Sequence, residues 1–137
     1  MKKIFIDSDI LLDALLKRPQ FVLDAVNVLV LADNTAEFQL MTSAVAFVNV
    51  HYFLDKYDRL NKFHRLKGLR SKISIINVDE KIIDQALKSS NDDFEDMVQY
   101  FAAISADADV ILTRNKKDYK QSILPLLTAG EFLNTLN

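Results

Sequence analysis

Apolar residues in this chain follow two rhythms, short continuous runs and longer stretches with a helical period, and the two alternate along its length. Ile4-Phe5-Ile6 is a continuous run that stops at Asp7, as expected of a strand buried on both faces. Behind it Ile10, Leu11, Ala14 and Leu15 recur at helical spacing, with Ser8 or Asp9 available as the cap and Pro19 closing the segment. Phe21 to Ala32 predicts a second helix, apolar almost all round, which suits deep burial or a subunit contact. Glu37 to Met41 reads as a second strand. Ser43 then caps a helix from Ala44 to about Tyr57, with Val45, Val48, Tyr52 and Leu54 among its apolar residues and Asn49 among its few polar ones. Lys56 to Lys72 is a polar helical stretch, Ile73 to Val78 a third strand, and Asp79 opens a helix through Leu87. After the polar turn Ser89-Ser90-Asn91, Asp92 caps a helix whose Phe94, Met97, Phe101 and Ile104 keep the period; Asp92 with Glu95 makes a capping box. Val110 to Thr113 is a fourth strand, Arg114 to Lys120 a polar loop, and Ile123 to Leu127 a fifth strand marked as an edge by Pro125, before a last helix from Ala129.

Strands alternating with helices predict an α/β fold with a mostly parallel central sheet and helices on both faces. The 137 residues contain no internal repeat or linker and fit a single domain, 1–137. In such folds ligands bind beyond the carboxyl ends of the strands, which turns a list of acids into a map. Asp7 follows the first strand, Asn115 follows the fourth with its Thr113-Arg114 extension, and Asp96 lies early in the helix leading into that strand. If the first and fourth strands are neighbours, the three converge, with Asp9, Asp93, Glu95 and Asp118 close in sequence. Carboxylates gathered in one small space repel one another unless a cation lies between them. Structural uses compete with this reading: Asp9 as a cap, Asp93 and Asp96 as partners of a helix N-terminus. Asp7 has the fewest such excuses.

Composition narrows the chemistry. There is no cysteine, so sulfur-based metal sites and thiolate nucleophiles are excluded, and only His51 and His64 offer nitrogen; both read as packed or surface residues. An oxygen-rich site favours Mg²⁺ or Mn²⁺. Two glycines, Gly68 and Gly130, cannot build a phosphate-cradling loop or a serine elbow. Net charge −2 and a pI near 5.6 exclude a bulk nucleic-acid coat but leave room for a local basic patch. Seven cations between Lys56 and Lys72 face one acid, Asp58; Arg59, Lys62 and Arg65 share a helical face that would track a phosphate backbone or simply be solvated. Arg114, Lys116 and Lys117 stand nearer the acids and are the better candidates for gripping substrate, while Tyr119 suits base stacking or the core. The Lys2-Lys3 opening faintly resembles a signal peptide, but Asp7, Asp9 and Asp13 interrupt its apolar core, and no stretch approaches the ~18 apolar residues of a membrane span. A cytoplasmic protein without a membrane partner is expected.

Four segments together resemble a known family. Ile4-Phe5-Ile6-Asp7-Ser8-Asp9-Ile10-Leu11-Leu12-Asp13, Thr42-Ser43-Ala44-Val45 with Asn49 and Tyr52, Asp93-Phe94-Glu95-Asp96, and Thr113-Arg114-Asn115-Lys116-Lys117-Asp118-Tyr119 look like the successive motifs of PIN-domain ribonucleases, the fold of the VapC toxins. The resemblance implies a three-layer α/β/α sandwich, a Mg²⁺- or Mn²⁺-dependent endoribonuclease, a homodimer and a VapB-type antitoxin partner. It makes Asp7 and Asp96 metal-binding acids, with Asn115 as a further ligand, Asp118 completing the surroundings and Asn49 orienting water. Asn49 and Asn115 stand where the family usually carries acids; an asparagine offers a carbonyl oxygen but neither charge nor a base. A catalytically degenerate domain that binds RNA or a protein is therefore an alternative. A second is a phosphatase of the haloacid-dehalogenase type, with Asp7 as nucleophile and Asp9 as acid/base.

Overall fold

The chain is described here at residues 1–89 and 93–137 of a computed structural model. Its strands, β1 (Lys2–Ile6), β2 (Phe38–Ser43), β3 (Ser74–Ile76), β4 (Val110–Leu112) and β5 (Leu126–Leu127), form one sheet in the order β3-β2-β1-β4-β5, with every neighbouring pair parallel. Crossovers are made by α1 (Ser8–Leu15), α2 (Val22–Val30), α3 (Ala44–Tyr57), α4 (Lys62–Lys72), α5 (Glu80–Lys88) and α6 (Phe94–Ser105), and α7 (Ala129–Asn134) follows the last strand. The alternation of side chains along β1 divides the interior in two. Ile4 and Ile6 pack with α1, α2, α3, α4 and α7, whereas Phe5, beside Met41 and Ile111, packs with α5, α6 and Tyr119. Ile4, Phe5 and Ile6 are all fully buried, the reason this strand reads as an unbroken apolar run. The result is the three-layer α/β/α sandwich, parallel throughout.

Strand bounds differ from the apolar runs where pairing outlasts hydrophobicity. β1 begins at Lys2 because Lys2 and Lys3 already pair with Phe38 and Gln39, and β2 continues past Met41 because Thr42 and Ser43 pair with Ile75 and Ile76. β3 and β5 are shorter than expected. Each is an edge strand with one neighbour, so less of its run is held in the ladder.

Helix bounds differ for local reasons. Asp7, rather than Ser8 or Asp9, caps α1. The stretch 56–72 is not one helix: α3 ends at Tyr57, Asp58 leaves helical geometry with φ −149°, and a single 3₁₀ turn, Arg59–Asn61, precedes α4. Helix α2 buries Ala25, Val28 and Leu29 but exposes Leu23, Val26 and Val30, so burial on all sides does not hold. Asp92 and its capping box lie outside the described residues; the side chain of Asp93 caps α6, accepting from the Asp96 N–H at 3.1 Å. Among the described residues no helix is long and apolar enough to cross a membrane.

Candidate active site

Strand β1 delivers Asp7 to the carboxyl edge of the sheet, between β2 and β4, where it is 8% exposed. One carboxylate oxygen, Oδ1, accepts from the Ser8 N–H at 2.8 Å. The other, Oδ2, accepts from the Thr113 hydroxyl and the Tyr119 hydroxyl, both at 3.0 Å. Thr113 Oγ1 itself accepts the Asn115 N–H at 3.1 Å, which leaves its proton directed at Asp7. Burial raises the carboxyl of Asp7 above the ordinary aspartate range; the Thr113, Tyr119 and Ser8 donors oppose the shift and the charge of Asp118 adds to it.

Helix α6 brings the second group. Asp96 is pushed up to about 8, first by partial burial, then by a hydrogen bond to Asp93 that requires a retained proton, then by the charges of Asp93, Asp7 and Asp118. Glu95 is raised by burial and by Asp93 and Asp7, and it accepts a hydrogen bond from the Asn49 side-chain amide on α3. Asp9, in the first turn of α1, is pushed up to about 7 by burial and by Asp7, against the pull of Arg114. The mutual repulsions establish that Asp7, Asp9, Asp96 and Asp118 share one region, as the convergence of β1 and β4 requires.

Asn115 lies at the rim, exposed, its side-chain amide in no hydrogen bond among the described residues. Of the cations near the acids, Lys116 is ion-paired to Glu131, whose carboxyl that partner and the Thr128 N–H hold down at about 2. Lys117 is exposed with no ion pair among the described residues. Arg114 is engaged by Asp13 at 2.8 Å. The more distant Arg59, Lys62 and Arg65 are each paired with an acid of α3 or its C-cap, Asp55 for the first two and Asp58 for the third. That face is therefore much less cationic than its sequence suggests.

The donor set fits a hard divalent cation. Every potential ligand is oxygen; Asp9 Oδ1 is buried with no hydrogen-bond partner among the described residues; and Asp9 and Asp96 are raised by burial and by neighbouring acids, a repulsion that a cation would relieve. The acids form a loose group rather than a cage: among the described residues no three His, Asp or Glu side chains close on a common point. An ion that retains several waters, as Mg²⁺ does, suits such a group better than one needing a full protein shell.

Two parts of the site were not assigned from sequence. Thr113 read as the end of a strand and Tyr119 as an aromatic for stacking or the core; Tyr119 is buried, but its hydroxyl reaches Asp7. The one signal for Tyr119 is its short spacing from Thr113 after a strand that neighbours β1.

A parallel sheet in this order, with acids from β1, α1 and α6 gathered at its carboxyl edge, defines an α/β domain with an acidic, oxygen-only pocket. The chain belongs to the PIN domain family, whose model matches residues 3–117. It is 25% identical over 144 aligned positions to "Ribonuclease VapC1" of Aquifex aeolicus, covering 99% of this chain and 96% of that protein. Its fold is shared with VapBC2 of Rickettsia felis, solved bound to a promoter DNA fragment, at TM-score 0.70, 19% identity and coverage of 92% and 98% of the two chains. It is shared also with VapBC-1 of nontypeable Haemophilus influenzae, at TM-score 0.67, 15% identity and coverage of 93% and 98%. Family membership replaces the phosphatase reading, and the geometry agrees: an Asp7 this buried and triply hydrogen-bonded is poorly placed as a nucleophile.

Proposed function

We propose that this chain is a metal-dependent endoribonuclease, the toxin of a VapB/VapC-type pair, and that it works as a homodimer held in check by an antitoxin. The observation that carries the reading is the gathering of Asp7, Asp9 and Asp96 at the carboxyl edge of the sheet, each raised by burial and by a neighbouring acid, a repulsion that a bound cation would relieve. The named ribonuclease relative supports the substrate class, and the two VapBC structures support the partner.

Asp7 and Asp96 would hold Mg²⁺ or Mn²⁺, with Asn115 and Asp9 within its surroundings. The ion when bound supplies an activated water and neutralises charge at the scissile phosphate. The protein's own contribution is positional. Ser8, Thr113 and Tyr119 aim their donors at Asp7, which fixes its orientation and favours its ionised form against the effect of burial. Asn49 restrains Glu95 beside the acids, and Asp118 adds negative charge that draws a cation to the site and raises Asp96 in its absence. Lys117, exposed two residues after Asn115, would meet a phosphate of the substrate. In the reaction the water oxygen bonds to phosphorus, the bond from phosphorus to the leaving oxygen breaks in line, and the proton of the water passes to solvent or a neighbouring carboxylate while one returns to the leaving oxygen. Without a cation the same acids repel RNA, so metal and RNA binding are positively coupled.

The test is cleavage of a mixed RNA pool with Mn²⁺ or Mg²⁺ against EDTA, for the unmodified chain, Asp7→Ala and Asp96→Ala. Metal-dependent cutting is expected, with a fall of about 10²-fold or more in each variant. RNA binding without cutting at any metal concentration supports instead the degenerate reading that Asn49 and Asn115 raise.

A further inference from the structure

Arg114 does not behave as a free cation. Its guanidinium forms a bidentate pair with Asp13, Nε to Oδ2 at 2.8 Å and Nη2 to Oδ1 at 3.1 Å, and its Cζ lies 4.1 Å from the centre of the Phe21 ring. Asp13 is 1% exposed and also takes Arg18 at 3.2 Å. A carboxylate at that depth cannot release a partner cheaply, because removing one member of a buried pair leaves an uncompensated charge. The fork that matches both oxygens, and the flat cation on the ring, are geometry that only arginine supplies.

The backbone on either side of this anchor serves the acids. Thr113 donates its hydroxyl to Asp7, the Arg114 N–H lies 3.4 Å from Asp9 Oδ2, and the Asn115 N–H orients the Thr113 hydroxyl. Three consecutive residues at the exit of β4 thus address the pocket, while the middle side chain is fastened to the corner between α1 and α2. We propose that Arg114 is a positioning residue, clamping segment 113–115 by its Asp13 and Phe21 contacts so that Asp7 and Asp9 are held in place, and that it does not grip RNA phosphate. This rests on the ribonuclease reading for its catalytic consequence, but not for the clamp itself.

Arg114→Lys separates the two roles, since lysine serves a phosphate as a point charge but cannot reproduce the fork or the stack. Positioning predicts that the lysine variant loses kcat by about 10²-fold, as a small misplacement does. It also predicts Mn²⁺ affinity, titrated without RNA, weakened by roughly 10–100-fold. At saturating Mn²⁺, KM, RNA affinity and its salt slope stay as they were. A grip predicts the reverse: the lysine variant near normal in kcat, and Arg114→Gln reducing RNA affinity with a salt slope lower by about 1. Asp13→Asn, which frees the guanidinium, is expected to lose kcat like the lysine variant; tighter RNA binding with full kcat overturns the proposal. Lys72→Gln, which removes an exposed pair with Asp33 and touches neither Asp13 nor segment 113–115, is the control and keeps kcat and Mn²⁺ affinity. Should the unmodified chain neither cut RNA nor bind Mn²⁺, the ribonuclease reading fails on its own. Amide hydrogen exchange at 113–115 then decides the clamp: faster in Arg114→Lys supports it, and unchanged exchange overturns it.

Discussion

Asp96 shows how one side chain links stability to ligand binding. Its carboxyl is raised from 3.8 to about 8 and that of Asp9 from 3.8 to about 7, so in this pH range the folded state binds more protons than the unfolded one. Stability from these groups is complete below about pH 4 and is lost as pH climbs through 7 and 8. In EDTA, therefore, thermal denaturation should show Tm rising as pH is lowered from 8.5 to 6. Asp96 is partly solvated and the gain is discounted accordingly, at about 4 °C for each kcal/mol in a domain of this size. A Tm that falls over that window refutes the assignment. Mn²⁺ competes with the same protons, so its stabilising effect should be largest at the alkaline end. At this scale the closeness of Asp7 and Asp96 was legible, because Asp7 ends an apolar strand and the helix that carries Asp96 leads into the strand beside it. The sequence was a poor guide to Thr113, Tyr119 and Arg114. Their roles depend on which hydroxyl or guanidinium faces which oxygen across more than 100 positions of chain, and residue type does not encode that.

Among the elements, α4 carries the clearest local flaw. Gly68 sits in the interior of a helix whose Leu66 and Leu69 are buried, and a Cβ built there meets nothing within 4 Å. Gly68→Ala should stabilise the protein by about 0.5–1 kcal/mol, by removing backbone freedom from the unfolded chain and restoring helix propensity. Chemical denaturation with an unchanged slope and a higher midpoint is the expected result; a lower midpoint means the open space is not open. Element existence was legible throughout, since period and run length distinguish helix from buried strand. Ends were legible only where the apolar pattern and the hydrogen bonding stop together. They do not at β2, where Thr42 stays in the ladder and donates to the Ile6 carbonyl at 2.8 Å, nor at Asp58, which interrupts a run of helix formers by turning its carboxylate to Asn61 and Arg65.

For the whole molecule, the unexplained feature is apolar surface. Leu23 on α2, Val48 and Tyr52 on α3, and Leu60 and Phe63 beyond the Asp58 break are all more than half exposed. The homodimer proposed above would cover part of it. Val48→Glu combined with Tyr52→Glu should halve the mass found by light scattering while leaving the circular dichroism intact. An unmodified chain that scatters as a single copy at tens of micromolar (on the order of weak-dimer Kd values) removes the idea. The strand order has a different consequence. Because β1 is the middle strand, made first but flanked by β2 and by β4, its acid gains its hydroxyl donors only when Thr113 and Tyr119 have been synthesised. A chain still emerging from the ribosome thus carries no finished pocket through most of its translation, and any cutting activity switches on abruptly, as a late event of biosynthesis rather than a gradual gain.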